Sequence, residues 1–104
     1  NKKINNAQFK KTKKKYDIII DDSTHLFDHQ INIILSTYKF LKPGGIIIIE
    51  DIYKFRKGYE EIRYYEKIKH LKKFFSYIAF IETPHVNNFT ASWKNEKILL
   101  LIKK

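Results

Sequence analysis

Two runs of isoleucine, each closed by a pair of acids, restrict this chain to few folds. Ile18-Ile19-Ile20 runs into Asp21-Asp22, and Ile46 to Ile49 runs into Glu50-Asp51. Short β-branched runs without polar alternation are what strands buried on both faces of a parallel sheet look like. Parallel neighbours need a crossover, usually a helix, and the connection is right-handed. Both acidic pairs then fall on the carboxyl edge of one sheet, where open α/β sheets gather ligands and chemistry.

The intervening residues supply that crossover. The first strand spans Tyr16 to Asp21. Ser23 and Thr24 offer N-cap hydroxyls, Asp28 puts a negative charge in the first turn, and Phe27, Ile31, Ile34, Tyr38 and Leu41 recur at helical spacing. The spacing predicts a helix from about His25 to about Leu41. Lys42-Pro43-Gly44-Gly45 stops it, because the residue before proline avoids the helical region and glycine admits a left-handed turn. A second strand follows from Gly45 to Glu50. Beyond Gly58, Tyr64, Ile68, Leu71 and Phe75 again keep helical spacing, and Lys69, Lys72 and Lys73 suit the negative end of a helix dipole. Tyr77 to Glu82 and Ile98 to Ile102 read as two more strands. Thr83 to Glu96, polar and long for a connection, reads as a hairpin-like excursion or flap. The order is β-α-β-α-β-β, an α/β class.

With 104 residues there is room for one domain, residues 16–104, behind a basic lead-in, residues 1–15, that holds seven lysines and no acid. The absence of methionine, even at position 1, suggests the C-terminal piece of a longer protein. Without cysteine there are no disulfides or thiolate metal sites. The purely apolar runs, Ile46 to Ile49 and the five-residue Tyr77 to Ile81 and Ile98 to Ile102, are far short of a membrane span, and the lead-in lacks a signal-peptide pattern. A soluble, cytoplasmic chain is expected. The formal charge of +10 invites nucleic acid as a partner, but Arg56 and Arg63 are the only arginines, and arginine is the side chain that forks onto phosphate or guanine. Tyr64, Tyr65, Phe74 and Phe75 interleave with lysines, a spacing that an amphipathic helix equally explains.

The acids point to a cation. Asp22 and Glu50 lie 28 positions apart, one strand-end to strand-end crossover, and neighbouring strands are about 4.8 Å apart. Carboxylates gathered in so small a space repel unless a cation neutralises them, and carboxylate oxygens suit magnesium, manganese or calcium. Helix capping or strand termination is the other use of such acids. Consecutive strand residues point to opposite faces, so Glu50 and Asp51 converge only if the chain leaves the strand between them. His25, three residues past Asp22, stands where a proton acceptor would serve such a site. His29, His70 and His85 read as exposed or capping residues.

Tyr16 to Tyr53, YDIIIDDSTHLFDHQINIILSTYKFLKPGGIIIIEDIY, resembles the C-terminal half of class I S-adenosylmethionine-dependent methyltransferases. It is most similar to metal-dependent sugar O-methyltransferases of macrolide biosynthesis, the mycinamicin and macrocin type, and to the cephalosporin-hydroxylase-type group. Asp21 to His25 stands where that family has Asp-Asp-Gly-Ser-His, and Leu41 to Asp51 matches its Leu-Lys-Pro-Gly-Gly leading to Glu-Asp. Trp93 to Lys104 resembles its last strand. The resemblance implies a Rossmann-like half-sheet, strands 4 to 7 of the order 3-2-1-4-5-7-6, with the last strand antiparallel. It implies Asp22, Glu50 and Asp51 as ligands of a magnesium-like ion, His25 as general base, and S-adenosylmethionine as methyl donor to a hydroxyl of a sugar or other small molecule. Ser23 replaces the family's glycine and Thr24 its serine. The glycine-rich cofactor loop has no counterpart, so no cofactor-binding residue is assigned and the isolated fragment is expected to be inactive. The missing half, or another chain, is expected to cover the edge of the first strand. The other function compatible with the sequence is an inactive remnant or basic module for nucleic acid or another polyanion.

Overall fold

A computed structural model of the chain describes residues 15–22, 24–82 and 97–104. The lead-in through residue 14, Ser23, and the expected Thr83 to Glu96 excursion with His85 and Trp93 lie outside the described residues. The elements are β1 (Tyr16–Asp21), α1 (Phe27–Thr37), β2 (Leu41–Ile52), α2 (Glu61–Ile68), β3 (Phe75–Glu82) and β4 (Lys97–Lys103). Single 3-10 segments, Tyr38–Phe40 and Lys69–Phe74, follow the two helices.

The four strands form one mixed sheet in the order β1-β2-β4-β3. β1 and β2 are parallel, and β4 runs antiparallel to both its neighbours, β2 and β3. β1 matches the sequence expectation residue for residue, and the isoleucine runs pair directly, Ile18 with Ile46 and Ile20 with Ile48. The Pro43-Gly44-Gly45 turn survives as an irregularity inside β2: two steps along β1, Tyr16 to Ile18, span five along β2, Leu41 to Ile46. Gly44 takes a φ of 81° there, and a Cβ on Gly45 would meet the Lys42 carbonyl oxygen at 2.8 Å.

Both helices are shorter than their apolar spacing implies. α1 begins at Phe27 because His25 has a φ of 65°, outside the helical region. Its N-cap, Leu26, has no side-chain cap; the Leu26 N–H instead donates to Thr24 Oγ1 at 3.3 Å, so the expected capping hydroxyl lies two residues before the N-cap. At the other end Thr37 Oγ1 donates back to the Ile33 carbonyl at 2.6 Å, and the chain tightens into the 3-10 segment. After α2, Leu71 and Phe75 keep their buried positions, but from a 3-10 segment and the first residue of β3 rather than from a continuing helix.

The crossovers β1-α1-β2 and β2-α2-β3 step across the sheet in the same direction, so right-handed connections put both helices on one face. They meet there: the Phe27 and Tyr64 rings pack edge to face at 4.7 Å. Ile19, Ile47, Ile49, Leu99 and Leu101 point into this layer at 1 % exposure or less, against Ile31, Ile34, Tyr64 and Ile68. Each such side chain contributes roughly 1.5–3 kcal/mol of transfer free energy. Lys97 enters the layer from the start of β4 with its ammonium 3.0 Å from Glu61 of α2.

The alternate residues face the other way, and no described element covers them. Ile18 and Ile20 are 56 % and 39 % exposed. The strand is therefore buried on one face only, whereas its unbroken apolar run implies two. Ile46, Ile48, Leu100 and Ile102 lie beside them in register, and on β3 the partners of this row are Tyr77, Ala79 and Ile81. The face carries apolar residues on every strand and no charge between its ends.

Candidate metal centre

The carboxyl ends of β1 and β2 bring three side chains together. Asp22 immediately follows β1, His25 stands two residues before α1, and Asp51 lies near the end of β2. One potential ligand atom from each lies within 4.8 Å of the other two. His25 Nε2 is 3.1 Å from Asp51 Oδ2. All three are half-buried, open enough to admit a ligand and enclosed enough to strengthen charge interactions.

A small backbone irregularity makes this possible. Between Ile49 and Ile52, β2 takes three steps while β4 takes two, Leu99 to Lys97, so one extra residue is accommodated at Glu50-Asp51. Asp51 absorbs it with a φ of 59°. His25 and Asp51, the two members of the ion pair, are also the only non-glycine residues with positive φ among those described. Aspartate and histidine tolerate that region better than most side chains, yet holding both there requires support from the surrounding fold.

Part of that support is a buried polar relay. Gln30, 1 % exposed on the inner face of α1, accepts a 2.6 Å hydrogen bond from Tyr64 Oη and donates through Nε2 to the Glu50 carbonyl at 3.3 Å. α1, α2 and the end of β2 are thereby tied at the residue before Asp51. Burial above all, with Tyr59 adding and Arg63 opposing, pushes the Tyr64 hydroxyl far up, so it stays a neutral donor. Sequence inspection passed over Gln30; its signal was a polar residue within the Phe27, Ile31, Ile34 stripe, where every neighbour is apolar.

The electrostatics match the geometry. Asp51 is raised from its ordinary value, first by burial and then by Asp22, to which a protonated Asp51 donates a hydrogen bond, while the His25 charge pulls it down. Glu50 is raised as well, by burial and then by Asp22, Asp51 and Asp21 in turn. Glu50 thus feels the other three acids at this edge. The four are not equivalent: Glu50 lies outside the three-residue group, with its backbone carbonyl engaged by Gln30, and Asp21 is buried at 6 % exposure on the helix-covered side. Of the expected ligands Asp22, Glu50 and Asp51, two are brought together, and His25 joins them as a third donor.

No protein-family model matches this chain, and no curated protein matches it either. The site has to be read from its own chemistry. Two carboxylate oxygens and an imidazole nitrogen fit a divalent cation: the oxygens suit magnesium or manganese, and ligation by His25 as well would favour manganese or zinc. With Asp51 on Nε2, a neutral His25 carries its proton there and keeps its lone pair on Nδ1, the tautomer of an oriented general base. No helix among the described residues is long and apolar enough to cross a membrane.

Proposed function

We propose that this chain is the metal-holding half of a class I methyltransferase-type domain, a fragment of an S-adenosylmethionine- and divalent-metal-dependent O-methyltransferase that acts on a hydroxyl of a small molecule such as a sugar. The observation that carries the reading is the Asp22-His25-Asp51 group at the ends of adjacent parallel strands, held by two residues of positive φ. The sheet order supports it too: β1-β2-β4-β3 with β4 antiparallel is the arrangement that the sequence resemblance implies for strands 4, 5, 7 and 6. So does the bare face. A half-sheet whose remaining strands and helices are carried elsewhere would leave one apolar face and the β1 edge uncovered.

Within this reading Asp22 and Asp51 would hold the ion, and Glu50 adds negative potential beside them. A bound divalent cation would lower the pKa of an acceptor hydroxyl. His25, aligned by Asp51 through Nε2, would take the hydroxyl proton on Nδ1. S-adenosylmethionine would supply the methyl group, and its binding residues are assigned to no position of this chain.

The test is thermal unfolding with and without magnesium or manganese. Either ion should raise the melting temperature of the wild-type chain, Asp22→Asn and Asp51→Asn should each abolish the rise, and Glu50→Gln should retain most of it. Should neither ion shift the melting of a folded wild-type sample, the metal site is wrong. Comparing manganese and zinc in His25→Ala decides whether the imidazole is a ligand or a base only.

A further inference from the structure

The loop after β2, residues 53–60, gathers side chains that are scarce elsewhere. Of 21 lysines and arginines only Arg56 and Arg63 are arginines; one lies in this loop, the other in the first turn of α2, and both rest on aromatic rings. Arg63 has a structural task. Its guanidinium lies 4.4 Å from the Phe27 ring centroid and donates to the Gly58 carbonyl, closing the loop.

Arg56 has no such task. Its guanidinium lies 4.7 Å from the Tyr53 ring centroid and 5.9 Å from that of Tyr59, and among the described residues no carboxylate or carbonyl occupies its donors. A guanidinium laid on a ring keeps its N–H edge available for a planar, two-pronged acceptor. Tyr53 meets the His25 ring edge to face at 6.4 Å, so Arg56 stands one ring away from the metal group. Lys54 and Lys57 flank it, and no acid interrupts residues 52–59; the nearest, Glu60, already accepts the Gly58 N–H at 3.1 Å. Between the cations Phe55 is 82 % exposed, the most exposed large apolar side chain described. A lone exposed ring is ordinary on a protein surface; what sets this one apart is its place in sequence beside the ring-stacked guanidinium of Arg56.

A cavity of about 310 Å³ opens between this loop and the start of α1, lined by Leu26, Phe27, Asp28, His29, Tyr59 and Arg63, next to Arg56 and Phe55 in the chain but not walled by them. That is the lower end of the size range of small-molecule sites, room for a ring with substituents.

We propose that this loop recognises the acceptor, and that the acceptor is a small molecule bearing a carboxylate or phosphate on a planar apolar body. Arg56 takes the anionic group, and Phe55 and Tyr59 take the body. The cationic loop and the acidic metal group then act as opposite poles, so the molecule enters one way round, with its hydroxyl towards His25 and Asp51. Only the word acceptor rests on the proposed function; the anion subsite stands on the loop itself.

Titration calorimetry on the full chain tests this with 4-hydroxybenzoate, phenyl phosphate, the neutral 4-hydroxybenzamide and a short oligothymidine. The aromatic anions should bind, the tighter one identifying carboxylate or phosphate, and the amide should bind at least about tenfold more weakly. Arg56→Gln should weaken the anions by a similar factor, Arg56→Lys should restore part of the loss, and Lys72→Gln, on the far 3-10 segment, should change nothing. Far-UV circular dichroism shows that each variant is folded. Equal binding of amide and anion, indifference to Arg56→Gln, no binding of either anion, or a preference for the oligonucleotide would each overturn the proposal. The metal reading is separable: if magnesium and manganese shift no melting curve while Arg56→Gln still abolishes anion binding, the metal site falls and this subsite stands.

Discussion

At the scale of single residues, the two halves of the Glu50-Asp51 pair have opposite fates. Asp51 turns through a positive φ into contact with His25 and Asp22, while Glu50 remains outside the group and still feels its charge. The consequence is measurable. Glu50 is raised above its ordinary 4.5, so the folded chain binds its proton more tightly than the unfolded chain does, and stability falls as pH rises through the folded value. Without metal, Glu50→Gln should therefore melt above wild type at neutral pH, and the difference should close on acidification as Glu50 takes up its proton. A difference that stays constant from pH 4 to pH 7 would contradict this account of the acidic edge. The residue types at the site were readable from sequence, because two acid pairs after two isoleucine runs can be counted. Which acids converge was not, because φ at Asp51 is set by pairing with β4.

At the scale of elements, the site depends on how α1, α2 and β2 are tied. Gln30 is the shared partner, bonded to Tyr64 on one side and to the Glu50 carbonyl on the other. Gln30→Leu keeps the volume but leaves a buried phenol without its acceptor, which should cost about 1–3 kcal/mol in denaturant unfolding. Adding Tyr64→Phe removes the orphaned hydroxyl, so the double variant should be no less stable than Gln30→Leu alone, a coupling that unrelated positions would not show. If the two losses simply add, the relay carries no shared energy. Element identities and order were legible from apolar spacing and from Pro43-Gly44-Gly45. Their ends were not: Phe75 keeps the buried position that helical spacing assigns it, yet it does so as the first residue of a strand, because an apolar residue three or four places on serves either purpose.

At the scale of the whole molecule, the unequal faces of the sheet dominate. One is sealed by both helices; the other presents on the order of several hundred Å² of aliphatic surface, the size at which patches mark binding partners. Ile18 and Ile19 are neighbours in sequence and opposites in environment, 56 % and 1 % exposed. Ile18→Lys should leave the fold and its melting temperature nearly unchanged and reduce self-association or dye binding at the bare face. Ile19→Lys should unfold the chain by burying an unpaired charge. Sedimentation and far-UV circular dichroism distinguish these outcomes, and equal effects from the two variants would show that both faces are sealed in solution.

The sequence by itself determined the alternation of strands and helices, the glycine turn, and the edge on which the acids gather. These follow from local spacing and backbone preference, which each segment carries with it. Only the tertiary structure decided that Asp51 and not Glu50 meets His25, that Gln30 braces the strand end, and that neither described helix lies over one of the isoleucine faces. Successive strand residues point to opposite sides, so a one-residue bulge exchanges their roles. That bulge is imposed by Lys97 to Leu99, more than forty residues further along the chain, where no local pattern around Glu50 records it.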